Sequence, residues 1–280
     1  MNSKFEKGYM AILANLLVDG APRQDRTGVG TLAKFGVELE HDWQDGYPVI
    51  THRMLNPRMG MAEMACFIRG LNDIRDFEAR GCRWWRANLN DFNARKGTPE
   101  NLSLGPIYGY KWRNFHGFDQ LAWLLKEAEE NPHSRRLMVT AWDPSDQVHA
   151  VLPPCHYAWQ IFIDGPTLDL KFEMRSVDWV LGCPADFIAY AFLQLALCRH
   201  LGLNPGKLLG SFGDTHVYNS HVKGVNELLK TTIERDLPQW SWYSGDPMLA
   251  LTYDALELEP EHLLLHGLEQ GPSCSFKMAV

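Results

Sequence analysis

Apolar residues recur at helical spacing through Met61–Arg69 (MAEMACFIR), and Gly70 follows where a helix would close, so the spacing predicts a helix there. Asp119–Glu130 repeats the pattern, with Asn131–Pro132 to end it. Ala185–Leu201 is apolar nearly all round and reads as a buried helix. Leu137–Trp142, His156–Ile163 and Leu168–Met174 read as strands, the last alternating with period two, and Asp164–Gly165 reads as a hairpin turn. No repeat, low-complexity run or linker divides the chain. The expected fold is α+β over residues 1–280 as one domain, a mixed β-sheet packed on a long buried central helix.

Composition narrows the partners. The 280 residues are 45% hydrophobic and 22% charged, enough to bury a sizeable core without disulfides. The 27 Lys+Arg stand against 34 Asp+Glu, a net charge of −7. That argues against a polymeric nucleic acid spread over a basic face, but leaves room for a small anion in a local arginine pocket. The six cysteines form no CxxC pair, Met1–Lys7 is polar, and Phe187–Cys198 is too short to span a bilayer. The expectation is a reduced, cytoplasmic protein with no membrane partner.

The candidate chemistry is scattered. Cys155 sits in Leu152-Pro153-Pro154-Cys155-His156, held by two prolines at a strand start. It is either a small buried hydrophobe or a nucleophile, and a nucleophile needs positive charge nearby to lower its pKa. Arg26, the pair Arg135-Arg136, and Arg175 beside Ser176 have the guanidinium and hydroxyl donors that suit phosphate, or are solvated surface charges. Asp178 and Asp186 flank a turn containing Gly182, where Asp186 can also be a carboxylate favoured by a helix start. Glu63 is the one acid on an apolar helix face, either that helix's polar edge or a buried carboxylate with a raised pKa. Alternation on a strand points His216 and Tyr218 the same way. No spacing suggests a metal site.

Together and in this order, these segments resemble the thymidylate synthase superfamily. The similar stretches are DRTGVGTLAKFG (25–36), EMACFIRG (63–70), LGPIYGYKWR (104–113), SRRLMVTAW (134–142), LPPCH (152–156), RSVDWVLGCPADFIAY (175–190) and GDTHVYNSH (213–221). The resemblance implies a homodimer joined through the sheet and 5,10-methylenetetrahydrofolate as co-substrate. It implies that Cys155 adds to pyrimidine C6, that Glu63 relays protons through water, and that Tyr108 helps remove the C5 proton; His156 is counted with this catalytic group. Arg26, Arg175 and Ser176 match the phosphate grip, with Arg135 and Arg136 reaching in from the partner subunit. His216 and Tyr218 match sugar 3′-hydroxyl contacts and Asp178 the pterin carboxylate. Trp85, Leu152, Gly182 and Val280 match positions that cover the folate.

Departures from the family pattern bear on substrate and product. Pro184 is followed by Ala185 and Asp186 where the synthases have Phe and Asn, the Asn being the amide that reads uracil. Asp186 resembles the deoxycytidylate hydroxymethylases, so the substrate expected is dCMP or CMP. Arg86 stands where Asp is usual, Leu55-Asn56-Pro57-Arg58 is unusual, and Val177 replaces Cys. Arg86 and the altered loop are expected to admit a water, giving 5-hydroxymethyl-dCMP. The alternatives are reductive methylation, as a dCMP methyltransferase or a thymidylate synthase, and a non-catalytic nucleotide- or RNA-binding relative.

Overall fold

A computed structural model describes residues 3–231, 235–243 and 257–278. Helix α1 (Lys4–Asp19) leads into β1 (Ala21–Arg23) and the long β2 (Thr31–Asp42). Five helices follow: α2 (Pro57–Ile68), α3 (Ile74–Ala79), α4 (Trp85–Lys96), α5 (Tyr108–Arg113) and α6 (Gln120–Glu130). Then come β3 (Met138–Thr140), the hairpin of β4 (His156–Asp164) and β5 (Thr167–Asp178), helix α7 (Gly182–Leu201) and β6 (Asn204–Tyr218). Helix α8 (Val222–Lys230) precedes a small sheet of β7 (Gln239–Trp242) and β8 (Leu263–His266).

The main sheet runs β1-β2-β6-β5-β4-β3 and is antiparallel except where β5 lies parallel to β6. A parallel pair cannot be joined by a tight turn, and α7 is the crossover. Its register sets Ser176 beside Asp214 and Asp178 beside His216, so the ends of two strands bring four polar side chains together. The mixed α+β architecture expected from the pattern is present. Helix α7 is buried on nearly every side, against β5, β6 and α2. Strand β4 alternates buried Ile161 and Ile163 with exposed Gln160 and Phe162.

Boundaries moved where local chemistry outweighed periodicity. Helix α2 starts four residues early, because Asn56 caps it through Arg58 N at 3.2 Å and Pro57 occupies the first turn, where its missing N–H costs nothing. Helix α7 starts at Gly182, not Ala185, so Asp186 lies beyond the first turn and the reading of it as a helix-start carboxylate fails. The strand expected over Leu137–Trp142 shrinks to three residues, while Leu168–Met174 extends to Asp178 because β6 supplies a partner along that length. The Asp164–Gly165 turn is present, with Gly165 at φ 54° and Asp164 paired with Thr167.

Two buried contacts hold the frame around the cavity described below. Tyr9 and Trp179 stack at 5.6 Å; Tyr9 Oη donates to Trp179 O and Trp179 Nε1 donates to Tyr9 O, fastening α1 beneath the β5–α7 turn. Glu6, fully buried, accepts from the backbone N–H groups of Thr51 and His52, which shapes the approach to α2. Gly109 makes the α2–α5 contact possible: a Cβ there would fall 2.1 Å from Phe67 O. Among the described residues, no helix is long and apolar enough to cross a membrane.

Candidate active site

A cavity of about 810 Å³ opens where α2, α5 and α7 meet the ends of β5 and β6. It lies in the upper part of the ~300–1,000 Å³ range of small-molecule sites, large enough for a nucleotide with a second ligand beside it. Of the residues singled out in the sequence, Cys155, Glu63, Tyr108, Asp186, Arg26, Arg175, Ser176, His216, Tyr218, Trp85, Leu152, Asp178 and Gly182 all line it. They come from seven separate segments, and only the tertiary fold assembles them.

One end gathers anion-binding groups. Asp25 folds its loop by accepting from the backbone N–H groups of Thr27 and Gly30 at 3.0 and 2.9 Å, which presents exposed Arg26. Arg175 and Ser176 arrive on β5, and Arg23 also lines this end, paired loosely with Asp214 at 3.8 Å. Asp214 in turn holds His216 Nδ1 at 3.0 Å. Donating Nδ1–H to that carboxylate leaves Nε2 an acceptor for a ligand hydroxyl. Tyr218 sits edge-on to His216, and partial burial raises its phenol to about 12.

The nucleophile candidate is half-buried, and its loop is pinned from both sides. Cys155 N donates to Tyr108 Oη at 3.1 Å, and Arg175 donates through Nε to Pro154 O at 2.8 Å and through Nη2 to Pro153 O at 2.9 Å. Arg175 Nη2 lies 3.9 Å from the Cys155 sulfur. Burial nevertheless raises the thiol pKa above its ordinary value, with Asp186 adding to the rise and Arg175, Tyr108 and Arg26 opposing it. A lowered pKa is therefore not a property of the ligand-free pocket.

Three further carboxylates line the cavity. Glu63 on α2 is 9% exposed and accepts at a single oxygen, Oε1, from Trp84 Nε1 at 2.7 Å and Trp85 Nε1 at 2.6 Å. Burial pushes its pKa up to about 7 against those two donors. Asp186, one turn into α7, has no hydrogen-bond partner among the described residues, and burial with the nearby Glu63 and Asp178 charges raises its pKa well above the carboxylate range. Asp178 spends Oδ1 on the backbone N–H groups of Val180 and Leu181 at 2.8 and 3.1 Å, which leaves Oδ2 for a ligand.

Some expectations moved. His156 does not line the cavity; it stacks behind Tyr108 at 3.8 Å, meets Tyr190 Oη at 2.8 Å, and burial depresses its pKa to about 3. Its ring is enclosed by Phe67, Tyr108 and Tyr190. Arg86, expected to admit a water, does not line the cavity and pairs instead with Glu78 at 2.5 Å. Val177 is a core residue, whereas Leu55 and Asn56 do line the cavity. Arg135 and Arg136 are exposed and lie outside the cavity of their own chain. Val280 falls outside the described residues; Met278, just before it, reaches the cavity.

Three further lining residues, Trp84, Asp214 and Arg53, were not singled out from the sequence. Nothing local showed that Trp84 would join Trp85 on one carboxylate. Asp214 precedes His216 by two on a strand and could have been paired with it. Arg53, buried with Nη2 donating to Val180 O, follows from no motif.

The family model described as thymidylate synthase matches residues 7–280. A probable thymidylate synthase of Escherichia phage T5 is 35% identical over 97% of this chain and 99% of that protein. A thymidylate synthase of Equine herpesvirus 2 is 34% identical over 98% of each chain.

Proposed function

The chain belongs to the thymidylate synthase family, which transfers one-carbon units to pyrimidine C5, and from that premise we propose that it acts on a cytidine monophosphate, dCMP by preference, with 5,10-methylenetetrahydrofolate as co-substrate. The observation that carries the reading is Asp186, a cavity-wall carboxyl whose pKa burial raises well above the ordinary carboxylate range and which has no hydrogen-bond partner among the described residues. A neutral carboxyl can donate O–H to cytosine N3 and accept from the N4 amine through its other oxygen. Cytosine N3 is a mild base, so it can take the proton as the thiol adds at C6 and pushes electrons toward N3. A neutral carboxyl can also donate to uracil O4 and accept from N3–H, but O4 is only weakly basic and takes that proton less readily as the thiol adds, so the protonating carboxyl favours the cytidylate.

The remaining residues take roles along this path. Arg26, Arg175 and Ser176 hold the 5′-phosphate, joined by Arg135 and Arg136 of the partner subunit. His216 and Tyr218 hold the 3′-hydroxyl. Cys155 releases its proton to solvent as its sulfur bonds to C6 and Asp186 protonates N3, which makes C5 nucleophilic toward the one-carbon unit that the folate supplies. Tyr108 and water held by Glu63 then take the C5 proton, and Cys155 leaves C6 at the end. Asp178 Oδ2 receives the pterin, and Trp85, Leu152, Gly182 and Val280 cover it. The homodimer is supported by exposed Phe35 and Phe162 on β2 and β4, apolar side chains that a second sheet would bury.

For the product, reductive methylation is the better supported outcome. Of the two features expected to admit water, Arg86 is engaged elsewhere and only the loop of Leu55 and Asn56 reaches the cavity, and both relatives carry the synthase name. Hydroxymethylation is the second reading, favoured by Asn56 and Asn88, amides that line the same cavity and could hold a water. The test is incubation of the protein with methylenetetrahydrofolate and C5-tritiated dCMP, CMP or dUMP. Tritium release from a cytidylate supports the reading, and turnover of dUMP alone overturns it. Product mass separates methyl from hydroxymethyl, and dihydrofolate absorbance marks the reductive path.

A further inference from the structure

Trp84 and Trp85 are consecutive, yet both indoles aim N–H at the same oxygen of Glu63, at 2.7 and 2.6 Å. A carboxylate oxygen has two in-plane lone pairs, and indole nitrogen donates but cannot accept. Oε1 is therefore saturated, and a proton placed on it would face two donors. Oε2 makes no hydrogen bond among the described residues, and Glu63 lines the cavity. We propose that Trp84 is a positioning residue that, with Trp85, confines the exchangeable proton of Glu63 to Oε2. The relay to substrate then leaves from one oxygen in one direction, with no rotation of a buried side chain.

The surroundings leave this task to the indoles. The titratable groups facing Glu63 are Asp186 and Tyr190 from α7, Tyr108 from α5, Cys66 on its own helix and Cys82 in the turn before α4. Burial pushes every one of them toward its neutral form, and none is a cation. The two N–H donors are the groups that oppose burial, which keeps the carboxyl at about 7 instead of higher. Trp85 also stands among the residues proposed to cover the folate, so Trp84 is the cleaner probe of the clamp.

The proposal rests on Glu63 as the proton relay of the reading above, but its first test does not need turnover. Infrared difference spectra of the ligand-free protein follow the Glu63 carboxyl across pH, with Glu63→Gln to assign the band. Replacing Trp84 by benzothienylalanine keeps the bicyclic shape and removes the N–H. The midpoint should move up by about one pH unit or more, since a hydrogen bond to a charged group is lost. Trp84→Gln, which restores an N–H donor, should bring it back, whereas Trp84→Phe should not. An unmoved midpoint in the benzothienylalanine protein overturns the proposal. If the midpoint moves while the pH–rate limb of the active enzyme stays fixed, the clamp is real but Glu63 is not the relay, and the functional reading fails separately.

Discussion

The Arg175 guanidinium stands 3.9 Å from the Cys155 sulfur while it grips the two proline carbonyls that precede that cysteine. One side chain thus fixes the nucleophile loop and sets a positive charge against the thiol. Burial outweighs that charge, so the thiol holds its proton in the ligand-free pocket. The proton has to leave when substrate is bound, not before.

Alkylation measures this directly. In a Cys274→Ser background, which removes the other partly exposed thiol, iodoacetamide should label Cys155 slowly at neutral pH. The rate should keep rising with pH beyond the ordinary thiol value of about 8.5. Arg175→Met should slow it further at neutral pH, where the thiolate fraction sets the rate. A titration midpoint below that ordinary value contradicts the account.

Asp186→Asn exchanges a carboxyl that can shed its proton for an amide that cannot. The amide accepts from uracil N3–H and donates to O4, so the kcat/KM ratio of dUMP to dCMP should rise roughly 5- to 150-fold, the equivalent of about 1–3 kcal/mol. Steady-state rates on both nucleotides check this. An unchanged ratio removes Asp186 from base recognition.

Glu63 links stability to pH. Its folded pKa of about 7 exceeds the unfolded 4.5, so its contribution is whole below the unfolded value and is lost as pH rises through the folded one. The loss levels off at about 3 kcal/mol above neutrality. Glu63→Gln cannot ionise. In urea unfolding it should therefore gain on wild type by up to that amount between pH 5 and pH 8, and a difference that does not change with pH rules the linkage out.

The partner-subunit arginines call for complementation. Cys155→Ser and the double variant Arg135→Ala, Arg136→Ala should each be nearly inactive alone. Unfolded together and refolded, they should recover roughly a quarter of the sites, since a symmetric mixed dimer rebuilds one complete site of two. No recovery means the arginines serve their own chain.

Arg86 offers a control on product chemistry. Its half-exposed pair with Glu78 is worth about 1 kcal/mol or less. Arg86→Ala should leave both the fold and the methyl-to-hydroxymethyl ratio by mass spectrometry unchanged. A shift in that ratio would restore the role that the sequence suggested for it.

How much was legible depended on the range of the interaction. Helix α2 could be read from its periodicity, and Glu63 stood out as an acid on an apolar face. What Glu63 does depends on Trp84 and Trp85, which α4 delivers from 21 and 22 residues away in the chain. Asp186 was legible as a departure from a motif, but its neutral state needed the walls of the cavity. His156 and Arg86 were expected at the site, and neither lines the cavity: His156 packs behind Tyr108, and Arg86 pairs with Glu78.

The sequence by itself determined the most strongly patterned elements, among them α2, α6, α7 and the β4–β5 hairpin, and the residue types that carry chemistry, because periodicity, caps and turns act over a few residues. Tertiary structure alone decided that β5 and β6 end side by side, that Cys155 keeps its proton, and that one carboxyl reads near neutral while another stays uncharged. Those outcomes follow from desolvation and from distances between charges. Both are set by neighbours in space that the order of residues does not name.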